Sequence, residues 1–335
     1  MEHQTISFLS SFNLYLMIHE AAHQWFGNCV SAGSWQDIWL HEGFATYCEG
    51  LCTEAGLGEG RDFSAWRKRR IFAACSFEHG SVFVADTTDQ SSLFNTCLTY
   101  DKGAMILHML RGELGDQLFF NALRIYITRY KFNNATPADF LNIVNLVSER
   151  NFDWFFDQWY YGAGFPVNSV DWEQNDGLLN IRIRQHTSDS SVNFFRLKVP
   201  ILVCGFSGER LLVKFNYYQP SSCFTVDPGF EVSYLVFDPY GDLVSRTGDV
   251  DRRQVTVKRP LLIDYNARNK QLRARVVDSD SFDYYSLHKI NTSEGVSGRI
   301  SKNGVIELNT SGLPSGRYIL ALSGALYMAR EIYIR

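Results

Sequence analysis

Hydrophobic residues recur with two different periods along the chain. Up to about residue 165, apolar residues return every three or four positions, which is the spacing of one buried helix face. After Gly164 the chain changes to short runs in which apolar and polar residues alternate, as they do in half-buried strands. The pattern predicts an α+β multidomain protein, with a helical part followed by β-rich parts.

Seven helices are predicted in the first part, and the residues at their ends support them. Thr136 offers an N-cap hydroxyl, Pro137 suits the first helical position, and Asp139 is a first-turn acid. Gly115 is typical of a helix end. The predicted helices cover approximately residues 12–26, 40–54, 62–76, 100–114, 116–131, 137–149 and 151–161.

The β-rich part is predicted to form two sandwiches. Strands are expected in the first at Leu179–Arg184, Leu197–Val203, Leu211–Asn216 and Val232–Phe237. In the second they are expected at Gln254–Lys258, Gln271–Val277, Gly304–Leu308, Arg317–Leu322 and Glu331–Ile334. The polar stretch Ser245–Arg253 is interpreted as a linker. The expected domains are therefore residues 1–165, 166–247 and 248–335.

Charge and composition exclude several kinds of protein. The chain has 32 Lys and Arg against 36 Asp and Glu, a formal charge of -4, which is not the basic field that a nucleic-acid partner requires. Hydrophobic residues make up 45%, enough for packed cores. No apolar run reaches the roughly 20 residues of a membrane helix, and we expect no membrane span. The apolar stretch Ile6–Ile18 has no preceding Lys or Arg, so it is not interpreted as a signal peptide.

The strongest chemical signal is the sequence HEAAH at residues 19–23. Four residues apart on a helix, His19 and His23 project from one face and can present two imidazoles to one metal ion. Glu20 lies beside them and could act as a general base on a metal-bound water. Eighteen residues separate His23 from Glu42, which begins a second predicted helix. Packed antiparallel, that helix would bring Glu42 to the histidines and complete a His2Glu zinc site with one position left for water.

These motifs resemble the signatures of the M1 family of zinc aminopeptidases. Residues His19–Asn28 are similar to that family's HExxHQWFGN motif, and Leu40–Tyr47 to its NEGFA motif, with His41 where the family usually has asparagine. Tyr100–Ala104 is similar to YEKGA, and Phe155–Pro166 to FFDQWxxxxGxP. The resemblance implies the helical lobe of a thermolysin-like zinc peptidase domain, followed by Ig-like β-sandwiches, and one bound zinc ion.

The resemblance also implies roles for two further residues. Tyr100 would donate a hydrogen bond to the tetrahedral intermediate, whereas without the resemblance a tyrosine at a helix start would more often pack on a core. Residues 1–5, MEHQT, look like the end of the family's G-[AG]-M-E-[NH]-Q-T motif, whose glutamate binds the free amino group of the substrate, so that role would fall to Glu2. The preceding residues of the motif and the upstream β-lobe are not in this sequence, so we expect an N-terminally truncated member.

The end of the chain suggests where the protein acts. Leu308–Tyr318 before a terminal strand is faintly similar to the sorting domain of the type IX secretion system, although the segment also reads as an ordinary turn into a strand of an Ig-like sandwich. We therefore expect an extracytoplasmic, secreted or surface protein of a bacterium. The seven cysteines are scattered without a CxxC pair, so they indicate neither a disulfide framework nor a cysteine zinc site.

The sequence thus predicts a zinc aminopeptidase that acts on peptides with a free N-terminus, with activity impaired if the missing lobe forms one wall of the cleft. Two other interpretations stay open at this point. The chain could be a catalytically incomplete zinc-binding fragment that serves as a binding or adhesion module. It could also be an endopeptidase of the wider gluzincin class, which cleavage of a peptide with a blocked N-terminus would distinguish.

Overall fold

The computed structural model describes residues 3–57, 62–252, 261–276, 282–289, 295–301, 303–324 and 327–335. The chain divides into two compact units. The first comprises Met1–Gly164 together with Asp189–Val192, and the second comprises Phe165–Ser188 with Asn193–Arg335. The first is largely helical and the second is built of strands, so the prediction of an α+β multidomain fold is confirmed.

Helices of the first unit follow the predicted order. The α-helices are α1 Leu14–Ala22, α2 Trp39–Glu54, α3 Phe63–Ala74, α4 Gln90–Leu93, α5 Gly103–Leu114, α6 Asp116–Tyr130, α7 Pro137–Ser148 and α8 Asp153–Phe156. Two segments are π-helical, Thr96–Lys102 and Asp157–Tyr161, and Trp35–Asp37 is a 3-10 turn. A short parallel ladder joins strands β1 Val30–Ala32 and β2 Asn133–Ala135.

Helix ends depart from the predictions where local geometry intervenes. Helix α1 ends at Ala22 and not near residue 26, because the N–H groups of Gln24 and Trp25 donate to the carbonyls only three residues before them and so form a tighter turn. The predicted start of α7 is confirmed, since the Thr136 side chain caps the Asp139 N–H while the Asp139 carboxylate accepts from the Thr136 N–H. The predicted helix from residue 100 begins instead in a π-helical segment.

Helix α2 forms the centre of the first unit. Eleven of its 16 residues are buried, including Trp39, Phe44 and Tyr47. The Phe44 ring lies 4.9 Å from Phe26 and 5.3 Å from Phe140 between ring centroids, so aromatic packing fixes α2 against its neighbours. A helix held on all sides is a rigid support for a functional side chain.

The described strands of the second unit form four sheets. They are β3 Pro166–Asn175, β4 Leu178–Thr187, β5 Leu197–Gly205, β6 Arg210–Tyr217, β7 Ser222–Val226, β8 Val232–Phe237, β9 Arg246–Arg252, β10 Leu261–Asn266, β11 Gln271–Val276, β12 Tyr284–Lys289, β13 Gly295–Arg299, β14 Val305–Asn309, β15 Gly316–Ser323 and β16 Tyr327–Ile334. Within the described residues the sheet orders are β7-β4-β3-β9, β6-β5-β8, β10-β11-β14 and β13-β12-β15-β16. Their Ig-like character stays a prediction.

The predicted linker is wrong. Residues Arg246–Arg252 form β9, which pairs in parallel with β3. Buried Leu202 and Val236 share one hydrophobic core with Leu272 and Leu320, so the β-rich residues on both sides of position 247 pack together. The expected domain boundary between residues 247 and 248 falls inside β9. The division of the chain into three domains otherwise stays a prediction. The predicted strand at residues 254–258 lies outside the described residues.

Among the described residues no helix combines the length and apolar character needed to cross a membrane. The seven cysteines form no disulfide within the part of the chain that the structure describes.

Candidate metal centre

Three predicted side chains converge in the first unit. His19 lies on α1, His23 follows its last turn, and Glu42 lies in the first turn of α2. Glu42 Oε2 is 3.0 Å from His19 Nε2 and 3.4 Å from His23 Nε2. One ligand atom from each residue lies within 4.8 Å of the others, and all three residues are buried. The packing of α1 against α2 thus brings the histidines and Glu42 to one point.

Each imidazole is oriented through its other nitrogen. Nδ1 of His19 is 3.0 Å from Glu49 Oε1, and Nδ1 of His23 is 3.0 Å from the Phe26 carbonyl oxygen. A carbonyl only accepts hydrogen bonds, so His23 Nδ1 is the donor and Nε2 keeps its lone pair for the cluster. Metal-binding histidines are usually held in this way. The donor set therefore fits a metal ion held by two imidazoles and one carboxylate.

Electrostatics at the cluster favour positive charge. Burial lowers the pKa of His19, but hydrogen bonds with Glu42 and Glu49 outweigh it and raise the pKa to about 9. For Glu42, burial raises the pKa, while hydrogen bonds with His19 and His23 prevail and lower it to about 2. The surroundings thus keep Glu42 ionised and stabilise a cation beside it.

The other predicted catalytic residues adjoin this cluster. Glu20 is buried on α1, between the two histidines in sequence. Tyr100 lies in the π-helical segment, and its ring stacks on that of His19 with centroids 5.9 Å apart and planes 19° apart. π-Helical turns are rare and are often found at functional sites. The structure thus brings Tyr100 to the predicted ligand His19.

Glu2, the predicted amine-binding residue, lies outside the described residues. The segment that follows it is attached to the end of α1, because the Gln24 amide accepts from the Thr5 N–H and donates to the His3 carbonyl, at 3.1 and 3.2 Å. The unusual His41 accepts a hydrogen bond from the Ala32 N–H at 2.8 Å and so links the start of α2 to β1.

Sequence reasoning missed three charged residues around the cluster. Glu49 accepts from His19, and Arg70 on α3 bridges Glu49 and Asp101. Glu49 follows Glu42 by seven residues, two turns along the same helix face, so periodicity could have indicated it. Arg70 carries no local signal, because its partners lie 21 and 31 residues away along the chain.

His19 near the end of α1, His23 directly after it and Glu42 at the start of α2 have the arrangement expected of an HExxH metal site. Comparison with known protein families gives a more specific likeness, since residues 9–159 match the peptidase family M1 domain. The match covers slightly less than half of the chain and lies within the first unit.

Relatives carry aminopeptidase names. The chain is 30% identical to aminopeptidase N of Lactococcus lactis subsp. lactis over 61% of its own length and 25% of that protein, and 31% identical to glutamyl aminopeptidase of Rattus norvegicus over 48% and 18%. It thus spans about a quarter or less of the length of these relatives. Among solved structures, Legionella pneumophila aminopeptidase A in complex with aspartic acid matches with a TM-score of 0.58 and 17% identity, over 72% of this chain and 27% of that one, which shows the shared fold.

Proposed function

We propose that the chain is a zinc-dependent aminopeptidase that releases N-terminal residues from peptides. The observation that carries the proposal is the convergence of His19, His23 and Glu42, with both imidazoles held through Nδ1. The M1 family domain and the aminopeptidase names of the relatives support the same reaction class.

His19, His23 and Glu42 would hold the zinc ion, and three protein ligands are the number that leaves a position for water. Bound zinc supplies Lewis acidity, which makes water a nucleophile near neutral pH and polarises the scissile carbonyl. Buried carboxylates at Glu42 and Glu49 suit a divalent cation, because they lower the cost of placing its charge in the interior.

Proton transfer is assigned to Glu20. Its carboxylate would take a proton from the attacking water and deliver it to the departing amine, as a general base and then a general acid. Tyr100 would donate a hydrogen bond from its phenolic O–H to the developing oxyanion, and the stacking of its ring on His19 supports this role. Glu2 would pair with the ammonium group of the substrate and thereby select peptides with a free N-terminus.

Paired substrates test the proposal. We expect the zinc-loaded protein to hydrolyse a leucyl or alanyl p-nitroanilide and to leave the N-acetylated anilide intact. Glu20→Gln should retain zinc and lose at least about 99% of the rate, since the general base contributes roughly 10² or more. The matched control is Glu149→Gln, at an exposed glutamate of the same unit, which should hydrolyse like the wild type.

Other outcomes would support one of the two alternative interpretations. Cleavage of an internally quenched peptide with blocked ends would make it an endopeptidase. Zinc binding without cleavage of either substrate would favour a binding module.

We further propose that the protein acts outside the bacterial cytoplasm, on the basis of the likeness of residues 308–318 to a secretion sorting domain. Fractionation of a bacterium that expresses the natural gene tests this place of action. Protein in the surface or medium fraction is the expected result, and protein confined to the cytosol would contradict it.

A further inference from the structure

One arginine joins two parts of the metal centre. Arg70 donates from Nη2 to Glu49 Oε2 at 2.6 Å and from Nη1 to Asp101 Oδ1 at 2.7 Å. Both carboxylates are buried, and the Arg70 side chain is only 19% exposed. Short, charge-assisted bonds in such surroundings are stronger than surface ion pairs and fix the groups they join.

The Glu49 arm leads to a predicted metal ligand. Glu49 uses one oxygen for Arg70 and the other for Nδ1 of His19. Its carboxylate is therefore held at both oxygens, which determines the direction from which it accepts the His19 proton. The direction of His19 Nε2, on the opposite side of the ring, follows from that contact.

The Asp101 arm leads to Tyr100. Asp101 is the next residue in the same π-helical segment, and the Tyr100 ring returns to stack on His19. These links form a closed circuit. Hydrogen bonds join His19 to Glu49, Glu49 to Arg70 and Arg70 to Asp101. A peptide bond joins Asp101 to Tyr100, whose ring stacks on His19.

The chemistry of this position requires arginine. A planar guanidinium offers separate N–H groups to two carboxylates at once, whereas a lysine ammonium is a single point charge on a flexible stem. Burial raises the pKa of Asp101 to about 6 even with Arg70 beside it. Without the guanidinium, Glu49 and Asp101 would be two buried carboxylates sharing no cation.

We propose that Arg70 is a positioning residue that sets the orientation of His19 through Glu49 and the place of Tyr100 through Asp101. The inference rests on the proposed function and extends it, because it couples the ligand and the oxyanion donor through one side chain. The proposal has two arms, one from Arg70 through Glu49 to His19 and one from Arg70 through Asp101 to Tyr100, and a separate variant can test each arm.

The two arms should fail differently. Glu49→Gln should weaken zinc binding by about 10-fold to 100-fold, as loss of a carboxylate behind a ligating histidine does. Asp101→Asn should leave the zinc Kd within about twofold and lower kcat by about 10-fold with little change in KM, because only the transition-state donor is displaced. Arg70→Lys should show both defects. Arg69→Lys, at an exposed neighbour on α3, should show neither.

The experiment measures the zinc Kd by chelator competition, the visible absorption bands of the Co²⁺-substituted protein, and kcat and KM on leucyl p-nitroanilide. A weaker Kd and shifted cobalt bands in Arg70→Lys, but not in Arg69→Lys, are the expected result. Unchanged Kd, bands and kcat in a folded Arg70→Lys protein would overturn the proposal.

Two further outcomes are decisive. If Arg70→Lys does not fold, Glu49→Gln and Asp101→Asn still decide: separate zinc and kcat defects support the circuit, and equal defects in both variants contradict it. If the wild type binds zinc but hydrolyses nothing, the proposed function fails, while the zinc and cobalt measurements still test Arg70.

Discussion

Lys102 is a fully buried cation in the π-helical segment that carries Tyr100. Its Nζ donates to the carbonyl oxygens of Gly80, Gly162 and Gly164 at 3.2, 3.4 and 2.9 Å. It thereby joins the π-helical segment that carries Tyr100 to two loops of the first unit. Burial disfavours the charged form and lowers the pKa of Lys102 to about 8.

This lowered pKa predicts a pH dependence of stability. Between about pH 8 and 10.5 the folded state has released the Lys102 proton and the unfolded state still holds it, so the free energy of unfolding rises with pH. Relative to Lys102→Met, the wild type should gain up to about 3 kcal/mol across this range. Denaturant unfolding of both proteins at several pH values measures the difference, and a difference that stays flat would contradict the assignment.

The convergence of the proposed ligand residues could be predicted from sequence because their geometry is local. One helical turn relates His19 to His23, and Glu42 lies in the first turn of the next helix, so spacing alone predicts that the three side chains can meet. The Arg70 circuit could not be predicted, since it depends on how α3 packs against α2 and the π-helical segment. Charge at Arg70 carries no information about its partners until the tertiary structure is known.

Two motif glycines set the distance between the elements of the site. Gly43 follows Glu42 on α2, and Gly103 begins α5 directly after the π-helical segment. A Cβ on Gly43 would lie 3.1 Å from the carbonyl carbon of Gly103 and 3.3 Å from the Thr99 carbonyl oxygen. The two backbones touch, and no side chain fits between them.

Gly43→Ala should therefore force α2 away from the segment that carries Tyr100. We expect a loss of about 1 to 3 kcal/mol in stability, as overpacking of a core usually costs, together with a lower kcat. The matched control is Gly112→Ala on α5, where a Cβ meets nothing within 4 Å and the substitution should stabilise by about 0.5 to 1 kcal/mol. Thermal unfolding and anilide kinetics of both variants test this, and equal effects of the two substitutions would contradict it.

At the scale of elements, helices were more predictable than strands. The 3.6-residue period and the caps located the helices of the first unit to within a few residues, apart from short α4. The sequence of strand β9 has the pattern of a linker, because its residues are mostly polar and charged and lack alternation. Its pairing with β3 joins residues about 80 positions apart, which no local pattern reveals.

At the scale of the whole molecule, the candidate metal centre and the large β-sheets belong to different units. All the residues assigned to the metal centre belong to the first unit, and the second unit has its own hydrophobic core. Zinc binding should therefore stabilise one of the two units alone.

Calorimetry on zinc-loaded and chelator-treated protein tests this separation. Zinc at about 1,000 times its Kd should stabilise the first unit by roughly 4 kcal/mol and raise its melting temperature. The transition followed by helical circular dichroism should move, and the transition of the β-rich unit should stay in place. Equal movement of both, or of neither, would contradict the assignment of the site to the first unit.

The central claim is that His19, His23 and Glu42 hold one catalytic zinc ion. The most direct test is a zinc titration of the metal-stripped protein, with the rate of leucyl p-nitroanilide hydrolysis followed at each step. The account predicts a rate that rises from near zero to a plateau at one zinc per chain, and no such rise in His23→Ala. A rate that is independent of zinc, or that rises equally in His23→Ala, would contradict it.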